Sequence, residues 1–180
     1  METPLADDQA QPPAEQQNWM MFIDPAWDPA RDGTPPPEAV LGGWLLDQDG
    51  APGLFHPNAE YRPLHPDSPT DPIDASLRQV LAGQQSADLL LTALRGSYLE
   101  IALGEDDRPI VTPAPDLVHC VLVVTAAVHK DKVIPDRWRQ VGLAELVALL
   151  PEGVDVLINP GAPASMRLLA SVLREAVAAP

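Results

Sequence analysis

The chain predicts an α+β fold: a single domain with a mixed β-sheet of about five or six strands covered by helices, behind a disordered, acidic, proline-rich N-terminal tail. Three observations carry this. Short apolar runs of strand length recur at 98–103, 120–124 and 154–158, the first of them alternating, and segments with helical periodicity stand between and around them. The length of 180 residues suits one ordinary core plus a tail. Proline and charge are unevenly spread, because residues 1–38 hold eight of the 22 prolines and eight acidic side chains against Arg31 alone.

That imbalance sets the domain division, a tail over 1–38 and an α+β domain over 39–180. Residues 1–17 offer too little apolar surface to offset the entropy of ordering them. Trp19-Met20-Met21-Phe22-Ile23 and Asp24-Pro25-Ala26-Trp27 break the pattern by packing most of the tail's large apolar side chains into nine residues. Such a cluster docks either on its own domain, as a short edge strand, or on a partner. Trp19, Phe22, Ile23 and Trp27 are therefore the candidate partner-binding residues. Arg31 to Pro37 reads as a stiff polyproline-like spacer.

Val40–Asp47 and Leu54-Phe55 flank Asp47-Gln48-Asp49-Gly50, which predicts a β-hairpin. Residues 56–71 are proline-rich and belong on the surface. Asp71-Pro72-Ile73-Asp74 starts a helix, with a capping carboxylate, proline at the first helical position and an acid near the positive end of the dipole. Its apolar face is Ile73, Leu77, Val80 and Leu81, ended by Gly83. Ser86 caps a second helix carrying Leu90, Leu91 and Leu94 and stopped by Gly96. Tyr98–Leu103 alternates and turns through Gly104-Glu105-Asp106-Asp107 toward Pro109-Ile110-Val111, a second hairpin. Cys120–Val124 is continuously apolar, as befits a central strand buried on both sides.

Arg137–Val141 reads as a short strand, and Leu143, Leu146, Val147 and Leu150 as a helical face. Val154–Ile158 follows as a strand, then Asn159-Pro160-Gly161 as a type II turn. A closing helix is expected from Pro163, with Met166, Leu169, Val172, Leu173 and Ala176 inward and Arg167, Ser171 and Arg174 as its polar stripe.

The formal net charge of −15 repels phosphate backbones and anionic lipid, so nucleic-acid binding is not expected. Cys120 is the only cysteine, which rules out an intrachain disulfide and fits a reducing compartment. No secretory signal and no apolar run of membrane-spanning length are read, so the expectation is a cytoplasmic protein without membrane insertion.

Catalytic patterns are missing. No Gly-x-Ser-x-Gly elbow occurs, and Gly96-Ser97-Tyr98 lacks the second glycine. Cys120 lies within an apolar strand, with His119 directed to the opposite face, and reads as a small buried hydrophobe. His56, His65, His119 and His129, with Asp67 or Asp71 near the first two, match no zinc spacing. Glu105-Asp106-Asp107 lacks the ligand alternation of a calcium loop. No catalytic residue, metal or cofactor is therefore assigned. Asn159 and Gly161, with Arg167 one turn into the expected helix, form a possible anion-binding turn, although a plain strand-to-helix turn is the simpler reading.

Gly142-Leu143-Ala144-Glu145-Leu146 to Leu150-Pro151-Glu152-Gly153-Val154, ending in Ile158-Asn159-Pro160-Gly161, resembles the end of the SseB-like amino-terminal domain. Ala87–Leu94 followed by Tyr98-Leu99-Glu100-Ile101 is similar to that family's opening helix and first strand. The likeness spans roughly residues 73–180, without the second domain of longer members. The front end, with Asn18-Trp19, Asp24–Trp27, Gly42-Gly43-Trp44 and Asp67–Pro72, resembles actinobacterial proteins associated with type VII secretion. Nine arginines against two lysines fit that source. The resemblance implies a fold and a pathway, and supplies no catalytic residues. The functional expectation is a non-enzymatic accessory or adaptor protein that binds a protein partner such as a type VII secretion component. The alternative is a small-ligand or anion-sensing domain using the Asn159-Pro160-Gly161 turn.

Overall fold

The computed structural model describes residues 17–135 and 137–178. In chain order the elements are β1 (Trp19–Ile23), α1 (Pro29–Asp32), β2 (Val40–Leu46), β3 (Pro52–Pro57), α2 (Pro72–Leu81), α3 (Ala87–Arg95), β4 (Leu99–Ala102), β5 (Val111–Pro113), β6 (His119–Val124), β7 (Trp138–Val141), α4 (Leu143–Leu149), β8 (Asp155–Ile158), β9 (Met166–Leu168) and α5 (Ala170–Ala178). Single 3₁₀ segments cover Pro37–Ala39 and Ala127–Lys132.

Two sheets form. The larger has six strands, ordered β7-β4-β6-β8-β9 with β5 also on β6. It is mixed: β6 and β8 are parallel, and the other ladders are antiparallel. Its centre is β6, where Cys120, Val121, Val123 and Val124 have no solvent exposure, as expected of an all-apolar strand covered on both faces. The main core gathers Leu99 and Ile101 from β4, Val121 and Val123 from β6, and Val156 and Ile158 from β8. Ile73, Leu77, Leu90, Leu94, Leu146 and Leu173 close it from the helices. These are the apolar faces that helical spacing predicts for α2, α3 and α4, except that Leu81, at the end of α2, is exposed.

Asp71 caps α2 as expected, its Oδ1 accepting from Ile73 N at 2.9 Å and Asp74 N at 3.0 Å. Ser86 stands at the N-cap of α3 but makes no capping bond, and its hydroxyl is turned to Asp88 instead. The β2–β3 hairpin forms over its Asp47–Gly50 turn.

Three expectations are corrected. The closing helix begins at Ala170 rather than Pro163, because residues 166–168 add an edge strand to β8. Leu157 and Ile158 pair with Arg167 and Met166, and ladder hydrogen bonds on that open edge outweigh a helical turn the apolar spacing would equally allow. The second hairpin forms but is shorter than expected: the chain turns back through the antiparallel Leu103–Pro109 bridge, with Gly104 N donating to Arg108 O at 2.9 Å and Ile110 N to Ala102 O at 3.0 Å, after which β5 resumes the row beside β6 that β4 began. The expected spacer at 31–37 contains the end of α1 and leads into a 3₁₀ turn. The cluster at 19–23 follows the first of its two expected readings: it docks on its own chain as the edge strand of the second sheet, ordered β1-β2-β3. The disorder expected of residues 1–17 falls, apart from Gln17, outside the described residues.

The small sheet is attached to the large one through Phe55 N, which donates to Gly96 O at 2.7 Å between α3 and β4. Asp24 fastens it further. Its carboxylate accepts from Leu64 N, Ala26 N, Ser68 Oγ and Tyr61 Oη, pinning the 58–70 segment across β1's end. Burial alone would raise the Asp24 pKa, but these donors outweigh it and hold the carboxyl below its ordinary range. The expected surface segment, 56–71, thus contributes three buried residues, Ser68, Pro69 and Asp71.

Candidate functional site

The alternation of β1 sorts the tail's apolar side chains onto two faces. Phe22, Trp44 and Phe55 form an aromatic ladder across the three strands, with ring centroids 5.9 Å and 5.0 Å apart. Beside it lies an open groove of about 780 Å³ between the small sheet and the α2–α3 pair. Met20, Phe22, Trp44 and Leu54 line its sheet side, and Gln79 and Leu89 its helical side. Leu89 is 54% exposed, beside Leu90 and Leu94, the two residues that α3 buries in the core. A contiguous apolar patch of this kind marks an interaction surface more often than an isolated exposed leucine does.

The residues expected to bind a partner are not brought together. Phe22 alone lines the groove. Trp19 packs edge-on against His56 with centroids 5.2 Å apart, and it pairs with Leu45 in the ladder next to the Met20–Trp44 pair, so it projects from the opposite face. Ile23 sits at a register shift beside Val40. Trp27 donates from Nε1 to Gly33 O at 3.2 Å and closes the α1 turn. Met20, Trp44, Leu54 and Leu89 were the missing members. Period-two reading of Trp19–Ile23 finds Met20 with Phe22, but Leu89 becomes legible only once α3 is placed opposite the sheet.

A second polar centre lies at the carboxyl ends of the parallel pair β6 and β8. Asn159, at φ 48° and fully buried, accepts from Thr125 N at 2.9 Å and donates to Thr125 Oγ1 at 2.9 Å. Thr125 Oγ1 and Thr70 Oγ1 donate to Asp71 Oδ2 at 2.6 Å and 2.7 Å. Burial pushes the Asp71 carboxyl above its ordinary value, an effect that the two threonines and the α2 amides only partly offset. Because the Thr70 proton goes to Asp71, the 3.0 Å contact of Thr70 Oγ1 with His129 Nε2 makes that imidazole nitrogen the donor. Burial lowers the His129 pKa, which favours the neutral ring over the charged one. Aspartate contacts threonine rather than the histidine, so this arrangement differs from a nucleophile oriented by a base and an acid. An adjoining cavity of about 300 Å³ is lined by Phe55, Asp71, Ser97, Tyr98, Glu100 and Gln140.

The expected anion turn is built differently. Asn159-Pro160-Gly161 does form a turn closed by Ala162 N to Asn159 O at 3.0 Å, with Gly161 at φ 77° as a type II turn requires. Asn159 is committed to Thr125, however, and Arg167 lies on β9, where it binds Asp155 at 2.7 Å and Asp116 at 2.8 Å. The strand that replaces the expected helix turn moves Arg167 to those carboxylates. Cys120 is buried, and burial raises its pKa. Among the described residues no three His, Cys, Asp or Glu side chains converge as a metal centre, and no helix is long and apolar enough to cross a membrane.

The site therefore defines a two-sheet α+β protein with an aromatic groove at its sheet junction. No protein-family model matches the chain, and neither a curated protein nor a solved structure does.

Proposed function

We propose that the protein is a non-enzymatic adaptor that binds another protein through the groove between the β1-β2-β3 sheet and α2–α3, as an accessory of type VII secretion in an actinobacterial cytoplasm. The observation that carries the binding role is the exposure of Met20 and Leu89 on opposite walls of one apolar groove. The pathway rests on the resemblance of the front end, Asn18-Trp19 through Gly42-Gly43-Trp44, to secretion-associated proteins. A paired change, Met20→Asp with Leu89→Asp, places charge on both walls while leaving the buried core intact. Beads carrying the wild-type chain are expected to retain a type VII secretion component from an actinobacterial lysate, identified by mass spectrometry, and the double variant to lose it. Recovery of no such component, or equal recovery by both chains, contradicts the proposal.

A further inference from the structure

We propose that the partner joins this site as an extended strand with basic ends, adding to the free edge of β1; this rests on the adaptor reading above and specifies its mode. Four features of the edge lead there. The Asn18 carbonyl accepts from Leu46 N at 2.8 Å, so the hydrogen-bonded pairs of the ladder are Met20–Trp44 and Phe22–Gly42. Alternation then turns the main-chain groups of Trp19 and Met21 toward the open side, where no described residue meets them.

Apart from its shortness and the register shift at Phe22/Ile23, the strand lacks the usual protection of an edge. Trp19-Met20-Met21-Phe22-Ile23 contains no lysine, proline or inward charge, and Trp19, Met20, Met21 and Ile23 remain 42%, 44%, 52% and 37% exposed. An added strand would set its side chains beside Met20 and Phe22 on the groove face and beside Trp19 and Met21 on the other, so main-chain bonds and apolar contacts act together.

Charge chooses the partner. Over residues 17–62, seven carboxylates stand against Arg31 and Arg62, and Arg31 is already paired with Asp32. Asp47 and Asp49 occupy the turn beside the Trp19 end of the strand, and Asp28 follows its Ile23 end. A second copy of this chain would bring the same carboxylates face to face, which disfavours β1-to-β1 pairing. Lysine or arginine flanking an apolar, β-branched centre complements both ends.

The test uses the full chain with synthetic, end-blocked peptides. The probe KRVTVTVRK is compared with DEVTVTVED, with the basic sequence N-methylated through its central five residues, and with a helical amphipathic peptide of equal charge. The expected result is saturable binding of KRVTVTVRK that slows amide exchange at Trp19 and Met21 at least tenfold and weakens with added salt. The acidic and N-methylated peptides then bind at least tenfold more weakly, as does KRVTVTVRK to an Asp47→Lys, Asp49→Lys chain. Tighter binding of the helical peptide, or binding without protection at Trp19 and Met21, overturns strand addition. These readouts need no secretion component, so a failed probe refutes the mode, whereas the bead experiment with Met20→Asp and Leu89→Asp decides the adaptor role separately.

Discussion

Single residues carry the joints of this molecule, and their chemistry sets definite expectations. Asp71 caps α2 and accepts from two half-buried threonine hydroxyls. Asp71→Ala removes a cap of about 1 kcal/mol and strands hydroxyls at about 1–3 kcal/mol. Urea unfolding is expected to show a loss of about 2–4 kcal/mol. Gly42 is equally constrained, at φ 154° in β2, where an added Cβ would lie 2.2 Å from His56 O and 2.6 Å from Phe55 Cζ. Gly42→Ala is expected to cost about 2 kcal/mol or more and to loosen the small sheet, read as faster exchange of the β2–β3 amides. His129 supplies a pH dependence. Its folded pKa lies below the ordinary 6.5, so the unfolded chain takes up the proton first. Its contribution is fully present above pH 6.5 and is lost as pH falls through the lowered folded value. Stability measured from pH 7.5 downward is expected to decline by a component that His129→Gln removes, and identical pH profiles for the two chains would contradict this.

At the scale of elements, legibility followed how local the deciding physics is. The cap of α2 at Asp71, the turn at Asn159-Pro160-Gly161 and the central position of Cys120–Val124 all follow from neighbouring residues, and all were readable. Strand β9 was not. Met166-Arg167-Leu168 is paired because β8 presents an open edge, and a ladder between distant residues leaves no trace in the spacing of one segment. The same holds for β5, whose partner is β6 rather than the adjacent β4. The groove was half readable: Phe22 belongs to it, whereas Trp19 and Trp27 are spent on His56 and Gly33. The ladder Phe22–Trp44–Phe55 gives β1 its hold on β2 and β3. Trp44→Ala is expected to destabilise the small sheet by about 2 kcal/mol, less than the cost of deleting a fully buried aromatic, because Trp44 is half-buried. The amides of β1 would then exchange faster while those of β6 keep their protection. Equal acceleration in both would mean that the two sheets unfold as one unit.

For the molecule as a whole, the division of labour is between a closed core and an open junction. The six-stranded sheet and α2–α5 bury Ile101, Val123, Ile158 and Leu173 completely or nearly so, while the small sheet keeps Met20, Met21 and Leu54 in solvent. Its net charge of −15 disfavours anionic partners and favours basic ones, whose association then weakens with salt. The central claim is that the junction binds protein, and amide exchange of the full chain, with and without the secretion component retained on beads, tests it most directly. The account predicts slowed exchange at residues 19–23 and 87–97, abolished by Met20→Asp with Leu89→Asp. Protection confined to other surfaces, with those two segments unchanged, would contradict it.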